Sequence, residues 1–186
     1  MDLVKAHDHA LELTEAIVAA VRPDQLALPT PCAEFDVRML LGHMIAGNHR
    51  FVLVAHGEPI ETRPVMASFA GDDATRAYRA SAAAVSAAWH DPAAVERAVR
   101  LPFGEVPGQF ALAMHTVETI VHGWDIAKAT GQPTEIEPEL CAVGWEAAKD
   151  IGEELRGPGR PFGPVVFVAP TASDTDRLVA WMGRQP

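Results

Sequence analysis

The chain has 186 residues, enough for one domain with a full core, and 48% of them are hydrophobic, which excludes a disordered or fibrous protein. Its net charge of −10 with histidine neutral argues against a nucleic-acid backbone or an anionic membrane as a partner, and local pairs such as Arg97 and Arg100 make no basic patch. Cys32 and Cys141 lie far apart and in no C-x-x-C arrangement, so no staple framework is indicated. Residues 1–7 lack the basic and apolar regions of a signal peptide, and no uninterrupted apolar run reaches the roughly 18 residues of a membrane span. The expectation is a cytoplasmic protein with both thiols reduced.

Helical periodicity dominates the chain. Asp2 caps a first helix running to about Val21, with Leu3, Ala10, Leu13, Ile17 and Val21 as its apolar stripe. Pro23 and the stretch Pro29-Thr30-Pro31-Cys32 then force an extended loop. Asp36 caps a second helix through Val37, Leu40, Leu41, Met44 and Ile45 to about Ala55, ended by Gly57 and Pro59. Residues 57–71 read as a crossover loop. Asp72 and Asp73 open an alanine-rich third helix to about Trp89, whose small residues let another helix approach closely.

Between Pro92 and Pro107 the pattern is irregular, with a short helix over 93–99 and an extended piece over 101–103. A fourth long helix follows and stops at Thr130-Gly131-Gln132-Pro133. Glu137-Pro138-Glu139 starts a fifth helix to about Leu155. Residues 156–164 are too rich in Gly and Pro for regular structure, 165–169 form a short apolar extended run, and Ser173 or Asp174 caps a last short helix to about Met182. With no internal repeat and no composition shift, the prediction is an all-α four-helix bundle over residues 1–186. It has long crossover loops and a short C-terminal strand–helix appendage from about residue 155.

The chemistry concentrates in the fourth helix, in His115-Thr-Val-Glu118-Thr-Ile-Val-His122-Gly-Trp124-Asp125. At about 100° per residue His115, Glu118, His122 and Asp125 share one narrow stripe. Leu112, Met114, Val117, Ile120 and Val121 flank that stripe, so its polar groups are costly to bury without a partner. A divalent metal is such a partner, because Glu118 and His122 at i, i+4 both reach one ion. Bundle sites draw ligands from facing helices, and His43, mid-way along the second helix among apolar residues, is the candidate third ligand. His49 and His56 lie near the exposed end of that helix, His7 and His9 near a terminus, and His90 in a loop beside Pro92. Three protein ligands leave positions open for water or substrate, the mark of a reactive site.

Bland readings stand beside this one. His43 taken alone fits a hydrogen-bonded core histidine, and a Glu-x-x-x-His pair is common on helix surfaces. His115 fits either a partner of the ligands or a flank of the stripe, and Asp125 either orients a ligand imidazole or bonds to backbone. Trp124 fits core packing, and Cys32 fits a soft ligand, a nucleophile or a small buried hydrophobe.

Two separated runs carry a resemblance. Thr30-Pro-Cys-Ala-Glu-Phe-Asp-Val-Arg-Met-Leu-Leu-Gly-His43 and Glu118-Thr-Ile-Val-His122-Gly-Trp-Asp-Ile-Ala-Lys-Ala-Thr-Gly131 resemble the DinB/YfiT-like proteins. Among these they are most similar to the metal-binding domain of mycothiol-dependent maleylpyruvate isomerase and its actinobacterial relatives. The resemblance covers nearly the whole chain and implies a four-helix bundle with a divalent metal, zinc or nickel, on His43, Glu118 and His122. It also implies a low-molecular-weight thiol such as mycothiol, acting on an electrophilic substrate. Related bundles pair through helix faces, and the alanine-rich helix offers such a face for a homodimer. The isomerase has a further C-terminal domain that residues 156–186 are too few to supply, so its own substrate is not implied.

Three functions fit these residues. One is a thiol-dependent transferase or isomerase, in which the metal holds the cofactor sulfur as thiolate. The same ligands serve a metal-dependent hydrolase, from which thiol dependence of turnover would distinguish it. The third is a non-catalytic module whose metal secures a ligand pocket or the fold. A metal-free stripe satisfied by internal hydrogen bonds is the bland alternative to all three.

Overall fold

Most of the helices begin where a carboxylate or hydroxyl stands one residue ahead of them, ready to accept from backbone N–H groups that have no partner inside the helix. The computed structural model describes residues 2–33, 35–58, 60, 74–102, 104–157 and 162–186. Asp2 accepts from Val4 and Lys5 at the start of α1 (Leu3–Ala19), and Asp36 accepts from Met39 at 2.8 Å at the start of α2 (Val37–Ala55). Then come α3 (Ala74–Trp89) and α4 (Pro92–Glu96), the latter capped by Asp91. The longest helix is α5 (Gly108–Thr130), followed by α6 (Pro138–Ala148) and by α7 (Asp174–Trp181), where Ser173 accepts from Asp176. Gly131 ends α5 with φ 72°, a left-handed conformation that a side chain disfavours.

Helix α1 packs on α3 and α5, and α2 packs on the same two, so these four close the bundle. One apolar cluster fills its centre, with Leu40, Leu41, Tyr78, Val85, Trp89, Leu112 and Ile126. A second cluster lies on the other side of α5, where Met114, Val117 and Val121 meet Leu140 of α6 and Leu178 of α7. Helix α5 is therefore apolar on both flanks, which is why its sequence shows no clean apolar face. That double burial is what forces its polar stripe to find partners inside the protein.

Several boundaries differ from expectation for local reasons. Helix α1 stops at Ala19, ahead of Val21, and a 3₁₀ turn at Pro23–Gln25 follows. The fifth long helix, α6, ends at Ala148 and not near Leu155; Gly152 is extended and a separate 3₁₀ turn covers Glu153–Leu155. The extended piece is longer than read. It is a hairpin of β1 (Ala98–Leu101) and β2 (Gly104–Pro107), paired antiparallel with Val99 opposite Val106. Val99 and Leu101 are buried while Ala98 and Arg100 are exposed, the two-residue alternation of a half-buried strand. Residues 165–169 carry no assigned strand: Val166 N–H donates to Ala180 O at 2.9 Å, and Phe167 is 96% exposed. Most of the loop expected over 57–71, with Asp72 and Asp73, lies outside the described residues.

The hairpin delivers the chain to α5 through a tight junction. Gly108 N–H donates to Arg97 O at 2.8 Å, and a Cβ placed on Gly108 would run into the backbone carbonyl of Ala94. Backbone cannot step aside as a side chain can, so Gly108→Ala is expected to cost about 1–3 kcal/mol or more. A thermal melt followed by circular dichroism checks this, and an unchanged melting temperature would contradict it.

Candidate metal centre

The polar stripe of α5 faces α2 across a narrow cleft of about 20 Å³, lined by His43, Met44, Gly47 and Asn48 from α2 and by His115, Glu118, Thr119 and His122 from α5. That volume suits a single water or ion. His43 stacks on Phe35 with ring centroids 5.3 Å apart and meets His122 edge-on at 5.2 Å. Burial, with the nearby His122 and Arg50, pushes the His43 imidazole down to about 4, so it is neutral near pH 7. Its Nδ1 is buried and has no hydrogen-bond partner among the described residues. Burial pushes the Glu118 carboxyl up, against the opposing pull of His122, Arg50 and Arg184.

His122 is held from behind. Its Nδ1–H donates to Asp125 Oδ2 at 3.1 Å, one turn along the helix, which leaves Nε2 as the free ring nitrogen. Asp125 is fully buried, and Arg184, beyond α7, donates to it through Nη2 at 2.9 Å and Nε at 3.2 Å. Burial works to raise the Asp125 carboxyl, but the His122 hydrogen bond and the Arg184 guanidinium together hold it below the usual carboxylate range. Of the two roles open to Asp125, the geometry selects orientation of an imidazole.

His115 lies deeper. It shares a 2.9 Å hydrogen bond with His7 of α1 and stacks on Phe51 at 4.2 Å. Both rings are buried, His7 completely; burial pushes His7 down to about 4 and holds His115 well below the ordinary imidazole range. Thus His7, set aside in the sequence as terminal, is a core residue. Its signal was its place on the buried face of α1 with Leu11 and Thr14, at spacings of four and three. Arg184 had no local signal at all. His49, His56 and His90 are exposed as expected, and Trp124 is core.

Cys32 is half-buried, and a donor atom of Cys32, His122 and Asp125 lie within 4.8 Å of one another, a tighter group than the three candidate ligands form. Asp125, however, is already committed to Arg184 and His122, so this is first a hydrogen-bonded group. No disulfide joins Cys32 to Cys141. Beside the cleft a cavity of about 1240 Å³ opens, sharing His43, Gly47 and Glu118 with it and extending between α2, α5 and α6. Among the described residues no helix is long and apolar enough to cross a membrane.

A mostly helical bundle with histidines and a carboxylate gathered from facing helices beside a large cavity defines the class. The chain belongs to the family described as mycothiol maleylpyruvate isomerase N-terminal domain, whose sequence model matches residues 7–127. Two uncharacterized proteins of Mycobacterium tuberculosis, from strains CDC 1551 and H37Rv, are each 36% identical over 187 residues, covering 99% of this chain and 98% of their own. Among solved structures, that of the mycothiol-dependent maleylpyruvate isomerase aligns with TM-score 0.65 at 14% identity, over 77% of this chain and 68% of that one. A histidine-to-alanine mutant of that enzyme aligns with TM-score 0.67 at 15% identity, over 93% and 79%. At such identities the likeness speaks for the fold.

Proposed function

We propose that this protein is a metal-dependent enzyme of low-molecular-weight-thiol chemistry, a transferase or isomerase working in the cytoplasm as one domain over residues 1–186. In this reading His43, Glu118 and His122 hold one zinc or nickel ion, and the adjoining cavity receives a thiol of the mycothiol kind together with an electrophile. The observation that carries the proposal is the ion-sized cleft with these three residues on its walls. The donor chemistry fits. His43 is kept neutral by burial, as a ligand imidazole must be, and its Nδ1 lacks a partner among the described residues. Glu118, pushed up by burial, gains from a cation.

Two neutral imidazoles and one carboxylate leave a divalent ion with net positive charge, and such an ion supplies the means to keep a thiol deprotonated near neutral pH. The chain's own residues do the positioning. Asp125, clamped by Arg184, fixes the His122 ring and its tautomer, the carboxylate–histidine arrangement that orients metal-binding imidazoles. Phe35 against His43 and Phe51 against His115 limit ring rotation on the other sides.

Metal content is the test. Protein purified without chelator is expected to hold about one divalent ion per chain by mass spectrometry, and Glu118→Ala is expected to lose it. Wild-type protein that stays metal-free after reconstitution with zinc and with nickel would sink the proposal.

A further inference from the structure

Among the described residues that line the large cavity, Arg50 is the one arginine or lysine. Phe51 from α2, Leu101 from β1, Phe110 and Met114 from α5 and Val143 from α6 give the cavity an apolar lining. Arg50 of α2 lines the same space, yet its Nε is buried and has no hydrogen-bond partner among the described residues. A buried guanidinium N–H without an acceptor is costly, and such orphans in folded proteins call for a ligand or another explanation. Arg50 is close enough to Glu118 and His43 for its charge to act on both, so this cation stands at the metal-cleft end of the cavity. The wall at α6 carries the opposite sign: Glu139 and Glu146 of the helix and Asp150 just past its end are exposed along it, with Glu146 paired to Lys149 at 2.6 Å.

We infer that Arg50 anchors an organic monocarboxylate with an apolar body, the carboxylate on the guanidinium and the body along Phe51, Phe110 and Met114. The planar fork of an arginine matches a carboxylate better than a point charge does, and the apolar walls favour a hydrocarbon or aromatic body over a sugar. Glu139 and Asp150 at that wall disfavour a ligand that carries a second carboxylate at its far end, because like charges repel. The inference rests on the proposed function in taking this cavity as the chamber in which the electrophile is held. It assigns that electrophile a class: an amphiphilic monoanion.

The test is isothermal titration calorimetry of the full chain, zinc-loaded and chelator-stripped, with octanoate, 1-octanol and octanedioate as probes. Octanoate is expected to bind roughly tenfold or more tighter than either of the others. Arg50→Met is expected to weaken octanoate roughly 10- to 100-fold while changing 1-octanol by less than about twofold. Octanoate binding no tighter than 1-octanol in the wild type overturns the inference without any variant, which covers the case of Arg50→Met failing to fold. So does an Arg50→Met chain with wild-type circular dichroism and undiminished octanoate affinity. Displacement of octanoate by inorganic phosphate at equal concentration would make this a plain anion site and overturns the amphiphile. Octanoate binding that needs zinc but not Arg50 overturns the inference and leaves the metal reading standing. Arg50-dependent binding in a chain that never takes up metal does the reverse.

Discussion

Asp125→Ala is expected to lower the free energy of unfolding by about 3–5 kcal/mol, the largest effect of any single change at the site. The reason is asymmetric burial. Asp125 has no exposed side-chain surface and Arg184 has 10%, so removing the carboxylate leaves a largely buried guanidinium with only the Met182 carbonyl, among the described residues, to accept from it. The same substitution frees the His122 ring, and metal affinity is expected to fall roughly 10- to 100-fold. Urea denaturation and a metal titration separate the two effects. Adding Arg184→Met removes the stranded charge, so the double variant is expected to regain much of the stability but none of the affinity. A single variant within about 1 kcal/mol of wild type would contradict the buried-pair account. A double variant that regained metal affinity would contradict the orienting role.

The second large effect is acid lability. Burial holds the imidazoles of His7 and His43 down to about 4, and that of His115 well below the 6.5 of an exposed chain. Below pH 6.5 the unfolded state takes up protons that the folded state refuses, so these groups withdraw stability as the pH falls and finish doing so near 4. For His7 and His43 the loss is about 3 kcal/mol each, on the order of half the stability of a typical domain. Asp125, held low, adds a loss below the ordinary carboxylate range, and Glu118, held high, opposes it with stability present in acid and lost as the pH rises. Urea midpoints of chelator-stripped protein between pH 7.5 and 4 measure the slope without interference from metal release. His7→Gln is expected to make that slope shallower. A flat profile across this window would mean that the rings take up protons in the folded protein as readily as in the unfolded chain, and would contradict this account.

Local periodicity made the bundle readable. The caps Asp2 and Asp36 and the stop at Gly131 are short-range chemistry, and the structure places helix ends beside all three. The polar stripe was legible for the same reason: His115, Glu118 and His122 share a face by helix geometry alone. That His43 would face them was an inference from its apolar neighbours, and the cleft brings it there. Relations between distant segments left no such trace. His7 and His115 are 108 residues apart and Asp125 and Arg184 are 59, and no spacing rule links either pair. The early end of α6 was hidden by apolar residues that continue past Ala148: Ile151 and Leu155 keep packing against the second core cluster after the helix has stopped.

The Arg184–Asp125 pair also imposes an order in time. A growing polypeptide emerges with α5 long before residue 184, so the Asp125 carboxylate must wait 59 residues for its guanidinium. Until then, docking α5 between α1 and α6 would bury an unpaired charge, which favours leaving that helix partly solvated. The stretch matched by the family ends at residue 127, short of the arginine. The hydrogen-bonded group around His122 is thus finished by Arg184, so if a metal binds there as proposed, nascent protein should be slow to take it up even though every candidate ligand has already been made.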